Sequence, residues 1–122
     1  MDAAGVTAWL AGYEKAWRSP GTSQLETLFT PDATYSVEPY TEPVTGRAAI
    51  AAMWEAERDG PAEVFRMTSE VVAVDGQMAV VRVEVQYGNP VHQEFRDLWV
   101  IRFAADGRCA AFEEWPFSPP AG

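Results

Sequence analysis

The fold is decided by a stretch in the last third of the chain, His92-Gln93-Glu94-Phe95-Arg96-Asp97-Leu98-Trp99-Val100-Ile101-Arg102-Phe103. At a period of two, one side of this stretch carries Phe95, Asp97, Trp99, Ile101 and Phe103. The other side carries His92, Glu94, Arg96, Leu98, Val100 and Arg102. This alternation is typical of a long β-strand with one buried face.

Asp97 is the single ionisable residue in the apolar row. An acid in such a row is costly to bury unless it is paired, hydrogen-bonded or protonated. One interpretation is a general acid or base beside the indole of Trp99, and the other is a structural ion pair with an arginine of a neighbouring strand. Asp97 is therefore the first candidate for a functional site.

The composition indicates one ordinary globular domain that spans residues 1–122. Hydrophobic residues make up 48% of the chain and charged residues 22%. No apolar run is long enough to span a membrane, and the chain opens on Met1-Asp2 without a charged-then-apolar leader. We therefore expect a cytoplasmic protein that does not bind membranes.

Charge and residue counts exclude several function classes. The net charge of −9 and the lack of a basic stripe argue against nucleic acid and against strongly anionic substrates. The single cysteine, Cys109, cannot form an internal disulfide and is expected in the core. With one histidine, no Cys/His spacing and no phosphate-binding or dinucleotide motif, we expect neither a metal nor a cofactor.

The first part of the chain predicts helices. An amphipathic helix is indicated by apolar residues at Val6, Trp9, Leu10, Tyr13 and Trp17. Asp2 is a plausible N-cap, and Ser19-Pro20-Gly21 ends this helix. Ser23 to Glu26 has the pattern of a capping box for a short second helix, whose apolar side would be Leu25, Leu28 and Phe29.

A short strand, a loop and a third helix are predicted next. Residues 33–37 alternate as a strand, and residues 38–45 contain two prolines and read as a loop. The third helix begins at Gly46-Arg47 and is broken by Asp59-Gly60-Pro61. Its inner face is expected to carry Ile50, Met53 and Trp54.

The rest of the chain predicts an antiparallel meander. Strands are expected at residues 63–74, Met78–Tyr87, 92–103 and 108–115, with turns at Asp75-Gly76, Gly88-Asn89-Pro90 and Asp106-Gly107. The proline-rich tail at residues 116–120 is expected not to extend a central strand. Helices followed by a meander indicate an α+β domain with the helices on one face of a curved sheet.

Several local segments occur in the same order as in a known family. They are Leu28-Phe29-Thr30-Pro31-Asp32-Ala33-Thr34-Tyr35, Pro43-Val44-Thr45-Gly46-Arg47-Ala48-Ala49-Ile50, Leu98-Trp99-Val100-Ile101-Arg102-Phe103, Asp106-Gly107-Arg108 and Glu113-Glu114-Trp115. With this layout, the chain resembles the SnoaL-like and ketosteroid-isomerase-like branch of the nuclear-transport-factor-two-like superfamily. The resemblance implies a cone-shaped barrel, in which three N-terminal helices close an apolar pocket against a strongly curved, mostly antiparallel sheet. It also implies a homodimer.

The resemblance carries over to individual residues only in part. Ketosteroid isomerase combines an Asp base with an oxyanion hole made of Tyr and a protonated Asp. Tyr13 matches the oxyanion tyrosine, whereas the base position falls on Val37, with Glu38 one residue later. The oxyanion Asp falls on Trp99, and a supporting tyrosine of the third helix is replaced by Trp54. Steroid isomerisation itself is therefore not expected.

A displaced acid–base site is expected instead. Asp97 lies two residues from the lost position and should point the same way, so it would shuttle a proton while Tyr13 polarises an oxygen. The phase of the last strand through Phe112 favours Glu114 inside, paired with Asp97. If Trp115 faces the core, Glu113 shares that side instead, and a surface position is open to either glutamate. His92 is expected at a solvated strand edge.

The expected ligand is a small apolar or aromatic molecule. The residues predicted to line its pocket are Trp17, Tyr35, Val37, Trp54, Phe65, Met67, Trp99 and Phe112. The leading hypothesis is a cofactor-independent isomerase, cyclase or dehydratase that acts on an apolar carbonyl or polycyclic substrate. The alternatives are a non-catalytic ligand-binding or dimeric interaction module of the same fold and, with less support, an epoxide hydrolase.

Overall fold

The computed structural model describes residues 1–58 and 63–120. Within these residues the helices are Ala3–Arg18 (α1), Leu25–Leu28 (α2) and Arg47–Glu57 (α3). The strands are Phe29–Ser36 (β1), Val44–Thr45 (β2), Phe65–Asp75 (β3), Met78–Tyr87 (β4), Gln93–Phe103 (β5) and Cys109–Phe117 (β6).

The strands form one sheet in the order β2-β1-β6-β5-β4-β3. All neighbouring strands are antiparallel except β1 and β6, which run parallel. The curved sheet is not closed, because β2 and β3 remain its two edges. The predicted α+β fold of helices on a curved, mostly antiparallel sheet is confirmed.

Helix α1 has the predicted cap and the predicted buried face. The Asp2 carboxylate accepts a hydrogen bond of 2.8 Å from the backbone N–H of Gly5, and Ser19 is the C-cap. The buried residues of the helix are Val6, Trp9, Leu10, Tyr13 and Ala16. The helix therefore covers the sheet with an aromatic stripe that begins at Trp9 and continues through Tyr13 to the half-buried Trp17.

The predicted capping box of helix α2 is wrong. The N-cap is Gln24, not Ser23, and no side chain donates or accepts a capping bond there. Backbone turns satisfy this end instead, since the N–H of Leu25 donates to Thr22 and that of Thr27 to Gln24. Phe29 is also not on the helix, because it begins β1.

Strand β1 is longer than the predicted span of residues 33–37. It begins at Phe29, which pairs with Cys109 of β6, and it includes Pro31. The pairing with β6 is irregular between Phe29 and Thr34, so the exposed Pro31 lies where regular ladder bonds are interrupted. Cys109 is buried, as its apolar surroundings predicted.

Helix α3 begins where the sequence predicts. Gly46 is its N-cap with a φ of +94°, a conformation that favours glycine. Ile50 and Trp54 are buried on its inner face, and Met53 is half-buried. The segment predicted to be a loop at residues 38–45 contains the short strand β2, and the predicted helix break at residues 59–61 lies outside the described residues.

Strand β6 continues two residues beyond the predicted end. Pro116 pairs with Asp97 and Phe117 pairs with Arg96, contrary to the expectation that the tail would leave the sheet. The last β1 residue in register with β6 is Ser36, opposite Glu113. Beyond Glu113 one side of β6 is therefore free of the described β1 ladder, and a proline without an N–H is tolerated there.

The alternation predicted for β5 is present. Asp97, Trp99, Ile101 and Phe103 are buried on the inner face, and Phe95 is half-buried at the start of the row. The hairpin turn predicted at Asp75-Gly76 joins β3 and β4. Trp115 is 40% exposed on the outer face, so the phase of β6 is the one that turns Glu114 inward.

Candidate functional site

A cavity of about 650 Å³ lies between helices α1 and α3 and the inner face of the sheet. Its walls include the three predicted catalytic residues, Tyr13, Asp97 and Glu114. Of the residues predicted to bind substrate, its walls include Trp17, Tyr35, Val37, Phe65, Met67 and Trp99. The fold therefore brings these distant residues around one space.

Trp54 and Phe112 do not line the cavity, which corrects their predicted place. Each is 1% exposed and packs behind the residues that do line it. The Trp54 ring lies 5.0 Å from Tyr13 and 4.8 Å from Trp17, between ring centroids. The Phe112 ring lies 4.3 Å from Tyr35. Both residues support the aromatic wall from the core.

Asp97 is 4% exposed on the inner face of β5. The indole Nε1–H of Trp99 donates a hydrogen bond of 3.4 Å to Oδ2 of Asp97. The other carboxylate oxygen, Oδ1, is buried and has no hydrogen-bond partner of good geometry in the part of the chain that the structure describes. None of the ion pairs among residues 1–58 and 63–120 includes Asp97.

Glu114 completes a carboxyl pair. The register of β5 and β6 places it opposite Trp99 and diagonal to Asp97. Burial raises the pKa of Glu114 to about 9, and hydrogen bonding with Asp97 and the charge of Asp97 add to this increase. The Glu114 carboxyl therefore keeps its proton at neutral pH. Glu113, on the next position of β6, pairs with Val100 and does not line the cavity.

Two tyrosine hydroxyls form a second polar group in the cavity wall. The Tyr13 and Tyr35 hydroxyl oxygens are 2.7 Å apart, and both residues are buried. Burial raises the pKa of each phenol well above its usual value, so both stay protonated. One hydroxyl donates to the other, which leaves one hydrogen available for another acceptor.

The cavity wall also contains residues that the sequence did not predict there. Glu57, Glu63 and Tyr87 line the cavity, and so does His92 despite its exposed position. Glu57 lies one helical turn after Met53 on α3, and Tyr87 continues the row of inward-facing residues on β4. The helical period and the strand period could therefore have predicted these two positions from the sequence. Glu38 lies outside the cavity wall, where it accepts a hydrogen bond from the hydroxyl of Thr41.

Residues 1–58 and 63–120 contain no group of three or more His, Cys, Asp or Glu side chains that could hold a metal ion. No helix in the described ranges has the length and apolar character needed to cross a bilayer.

The fold defines a protein of the nuclear-transport-factor-two-like class. The sequence profile of the SnoaL-like domain matches residues 6–112, and the chain therefore belongs to the SnoaL-like family. Comparison with curated proteins gave no significant sequence match.

Three solved structures illustrate what the chain is similar to. A candidate polyketide cyclase from Sinorhizobium meliloti is 26% identical with a TM-score of 0.67, covering 88% of this chain and 93% of its own. A candidate ketosteroid isomerase from Kribbella flavida is 21% identical with a TM-score of 0.67, covering 97% and 84%. SalBIII, an epoxide hydrolase/cyclase-like enzyme of pyran ring formation in salinomycin, is 15% identical with a TM-score of 0.72, covering 91% and 89%. The two less similar structures support the fold alone.

Proposed function

We propose that this SnoaL-like protein is a cofactor-independent isomerase, cyclase or dehydratase. Its substrate would be a small, mostly apolar carbonyl or polycyclic molecule bound in the cavity. The observation that carries this proposal is the pair of carboxyl groups in the cavity wall, buried Asp97 and half-buried Glu114, of which Glu114 has a raised pKa. The proposed setting is the cytoplasm, where the single buried thiol of Cys109 would remain reduced.

The proposed chemistry is proton transfer next to a carbonyl group. Asp97 accepts a proton from a carbon atom of the substrate, and the charge that develops on the carbonyl oxygen is stabilised by the free hydrogen of the Tyr13–Tyr35 pair. The Glu114 carboxyl carries a proton of its own, which it can donate to the substrate or to a leaving hydroxyl group. Return of a proton at another carbon gives isomerisation, and loss of water gives dehydration.

One of the similar structures supports a reaction within this range. The Sinorhizobium meliloti protein, which is 26% identical to this chain, is a candidate polyketide cyclase. Isomerase and cyclase chemistry both need a placed acid and a placed base in a cavity with few other polar groups. The chemistry proposed for this chain is therefore acid–base catalysis on an apolar substrate.

The test uses 2-tetralone, a bicyclic ketone whose acidic C–H protons exchange with deuterium in heavy water. The protein is expected to accelerate this exchange, measured by NMR. Asp97→Asn should reduce the acceleration by about 10²–10⁴-fold, the range typical of a lost general base. The circular dichroism spectrum should be unchanged, because asparagine has nearly the same shape.

Asp106→Asn is the matched control for this test. Asp106 is an exposed acid paired with Arg108, away from the cavity, and its variant should exchange like the unmodified protein. Equal exchange rates for the unmodified protein and Asp97→Asn would rule out Asp97 as the base. No acceleration by the unmodified protein would count against proton abstraction altogether.

A second candidate function is a dimeric interaction module, and the outer face of the sheet favours it. Leu98 and Trp115 pair across β5 and β6, and Phe117 follows on the same face. These side chains are 39%, 40% and 59% exposed, respectively. Apolar exposure of this kind on one face is typical of an interface, and we propose that a second copy of the chain covers it.

Light scattering after gel filtration tests the dimer. The unmodified chain is expected to have twice the mass of one chain, and Trp115→Glu should give a single chain because it buries a charge in the interface. Val72→Glu on strand β3, a partly exposed apolar position outside this patch, is the control and should stay dimeric. A single-chain mass for the unmodified protein would contradict the proposed interface.

A further inference from the structure

The indole ring of Trp99 lies beside both carboxyl groups of the candidate site. Trp99 follows Asp97 by two residues on β5, so their side chains lie on the same face of the sheet. The register of β5 and β6 places Trp99 opposite Glu114. All three residues line the cavity, and Trp99 is only 3% exposed. Its N–H group is therefore in a position to act on either acid.

The neighbours of Trp99 hold its ring in place. The ring centroid lies 4.8 Å from that of Tyr13 on α1 and 4.8 Å from that of Phe112 on β6. Val81, a buried residue of β4, is its partner across the sheet. Contacts from three elements leave the ring little freedom to turn. In this orientation Nε1–H donates a hydrogen bond of 3.4 Å to Oδ2 of Asp97.

This hydrogen bond opposes the effect of burial on Asp97. Asp97 is buried and Glu114 is half-buried, so burial alone would favour a proton on Asp97. A donated hydrogen bond favours the charged form of the carboxyl group that accepts it. Burial, followed by Asp97, raises the pKa of Glu114 to about 9, and Trp99 lowers it by a smaller amount. The hydrogen bond to Asp97 is therefore the feature that distinguishes the two acids.

The other titratable residues of the cavity wall come from several elements. They are Tyr13 from α1, Tyr35 from β1, Glu57 from α3, Glu63 before β3, Tyr87 from β4 and His92 at the rim. Tyr13 and Tyr35 stay protonated because burial raises the pKa of both phenols. Glu57 and His92 are exposed, and in the described part of the chain no lysine or arginine lines the cavity. The charge of the acid pair therefore depends on hydrogen bonds and not on a neighbouring lysine or arginine.

We infer that Trp99 is a positioning residue, which directs the negative charge of the acid pair to Asp97 and leaves the proton on Glu114. This inference rests on the proposed function, because it explains why Asp97 and not Glu114 is the proposed base. Trp99 acts through Asp97 and transfers no proton itself. In a chain without the indole N–H, the more buried Asp97 would keep the proton and Glu114 would carry the charge.

The test replaces Trp99 with β-(3-benzothienyl)alanine by site-specific incorporation. This amino acid has nearly the shape of tryptophan but carries sulfur in place of the N–H group, so the ring contacts are kept. Carbon-13 NMR of the side-chain carboxyl groups at neutral pH reports the charge of each acid, and Asp97→Asn and Glu114→Gln assign the two signals.

The unmodified protein is expected to show an ionised Asp97 and a protonated Glu114. In the protein with the replaced Trp99, the Asp97 signal should move towards its protonated position and the Glu114 signal towards its ionised position. Signals that stay in place after the replacement would overturn the inference.

Deuterium exchange of 2-tetralone measures the catalytic consequence. The same replacement should lower kcat at least about tenfold, the effect typical of losing a hydrogen bond to a charged group. KM should stay within about twofold, since the shape of the cavity is kept. A lower kcat without movement of the carboxyl signals would also overturn the inference, because Trp99 would then act by another route.

Trp9 provides the matched control. It is a buried tryptophan outside the cavity wall, and its Nε1–H donates a hydrogen bond of 3.0 Å to the carbonyl oxygen of Leu28. The same replacement at Trp9 removes a buried N–H donor without touching the acids. It should leave both carboxyl signals and kcat unchanged, and equal effects at Trp9 and Trp99 would overturn the inference.

The two measurements separate this inference from the proposed function. If the unmodified protein does not accelerate exchange, the proposed catalysis fails, and the carboxyl signals alone decide the role of Trp99. If exchange is accelerated and the signals move but kcat is unchanged, the proposed catalysis stands and the positioning role of Trp99 is overturned.

Discussion

The free energy of unfolding is expected to fall as the pH rises from about 4.5 to about 9. The pKa of Glu114 is raised from 4.5 to about 9 in the folded chain, mainly by burial and then by Asp97. Between these values the folded state keeps a proton that the unfolded state has lost. The contribution of Glu114 to the free energy of unfolding is therefore fully present below pH 4.5. It decreases by up to about 1.4 kcal/mol per pH unit until the pH exceeds about 9.

Urea unfolding followed by tryptophan fluorescence at several pH values in this interval measures the slope. Glu114→Gln should flatten it, because glutamine is neutral in both states. Glu113→Gln is the matched control, since Glu113 is the adjacent glutamate of β6 and lies outside the cavity wall. The same slope in the unmodified protein and in Glu114→Gln would show that Glu114 is not the group that titrates.

Trp54→Ala is expected to lower the free energy of unfolding by about 3–5 kcal/mol, which is typical for the loss of a large buried aromatic side chain. Trp54 is fully buried and contacts the rings of Tyr13, Trp17 and Phe29. Its removal leaves a space behind the cavity wall, so Tyr13 and Trp17 also lose support. Chemical denaturation with the fitted midpoint and slope measures the loss.

Substituting phenylalanine at Trp9 and at Trp54 separates the contribution of packing to stability from that of hydrogen bonding. The Nε1–H of Trp9 donates to the carbonyl oxygen of Leu28 at 3.0 Å, whereas the buried Nε1–H of Trp54 has no partner within the described residues. Trp9→Phe leaves a buried carbonyl unsatisfied, and Trp54→Phe removes an unsatisfied donor. Trp9→Phe should therefore be the more destabilising by about 1–3 kcal/mol, and the reverse order would contradict this assignment of hydrogen bonds.

The alternation of β5 was enough to predict that Asp97 and Trp99 share the buried face, because a period of two with one apolar side is characteristic of a half-buried strand. The phase of β6 through Phe112 likewise favoured Glu114 over Glu113. A strand period reports which side of the sheet a residue occupies. For this reason the sequence could favour an inward position of Glu114 beside Asp97, but it left a surface position open for either glutamate.

The difference between core and cavity could not be predicted in this way. Phe112 and Trp99 both face inward, but only Trp99 lines the cavity. The distinction depends on how strongly the sheet curves and how far each helix stands from it, and neither quantity has a sequence period. The extension of β6 through Pro116 could not be predicted from the sequence either, because it depends on the pairing of β1 with β6 ending at Glu113.

The central place of β6 in the sheet has a consequence for how the molecule matures during synthesis. Strand β6, the last of the described strands in chain order, inserts between β1 and β5, and the polar groups of the candidate site come from α1, β1, β5 and β6. The candidate site is therefore incomplete in a nascent chain until β6 has left the ribosome. A ligand of the proposed site could bind only after β6 has inserted, so it could not assist the earlier stages of folding.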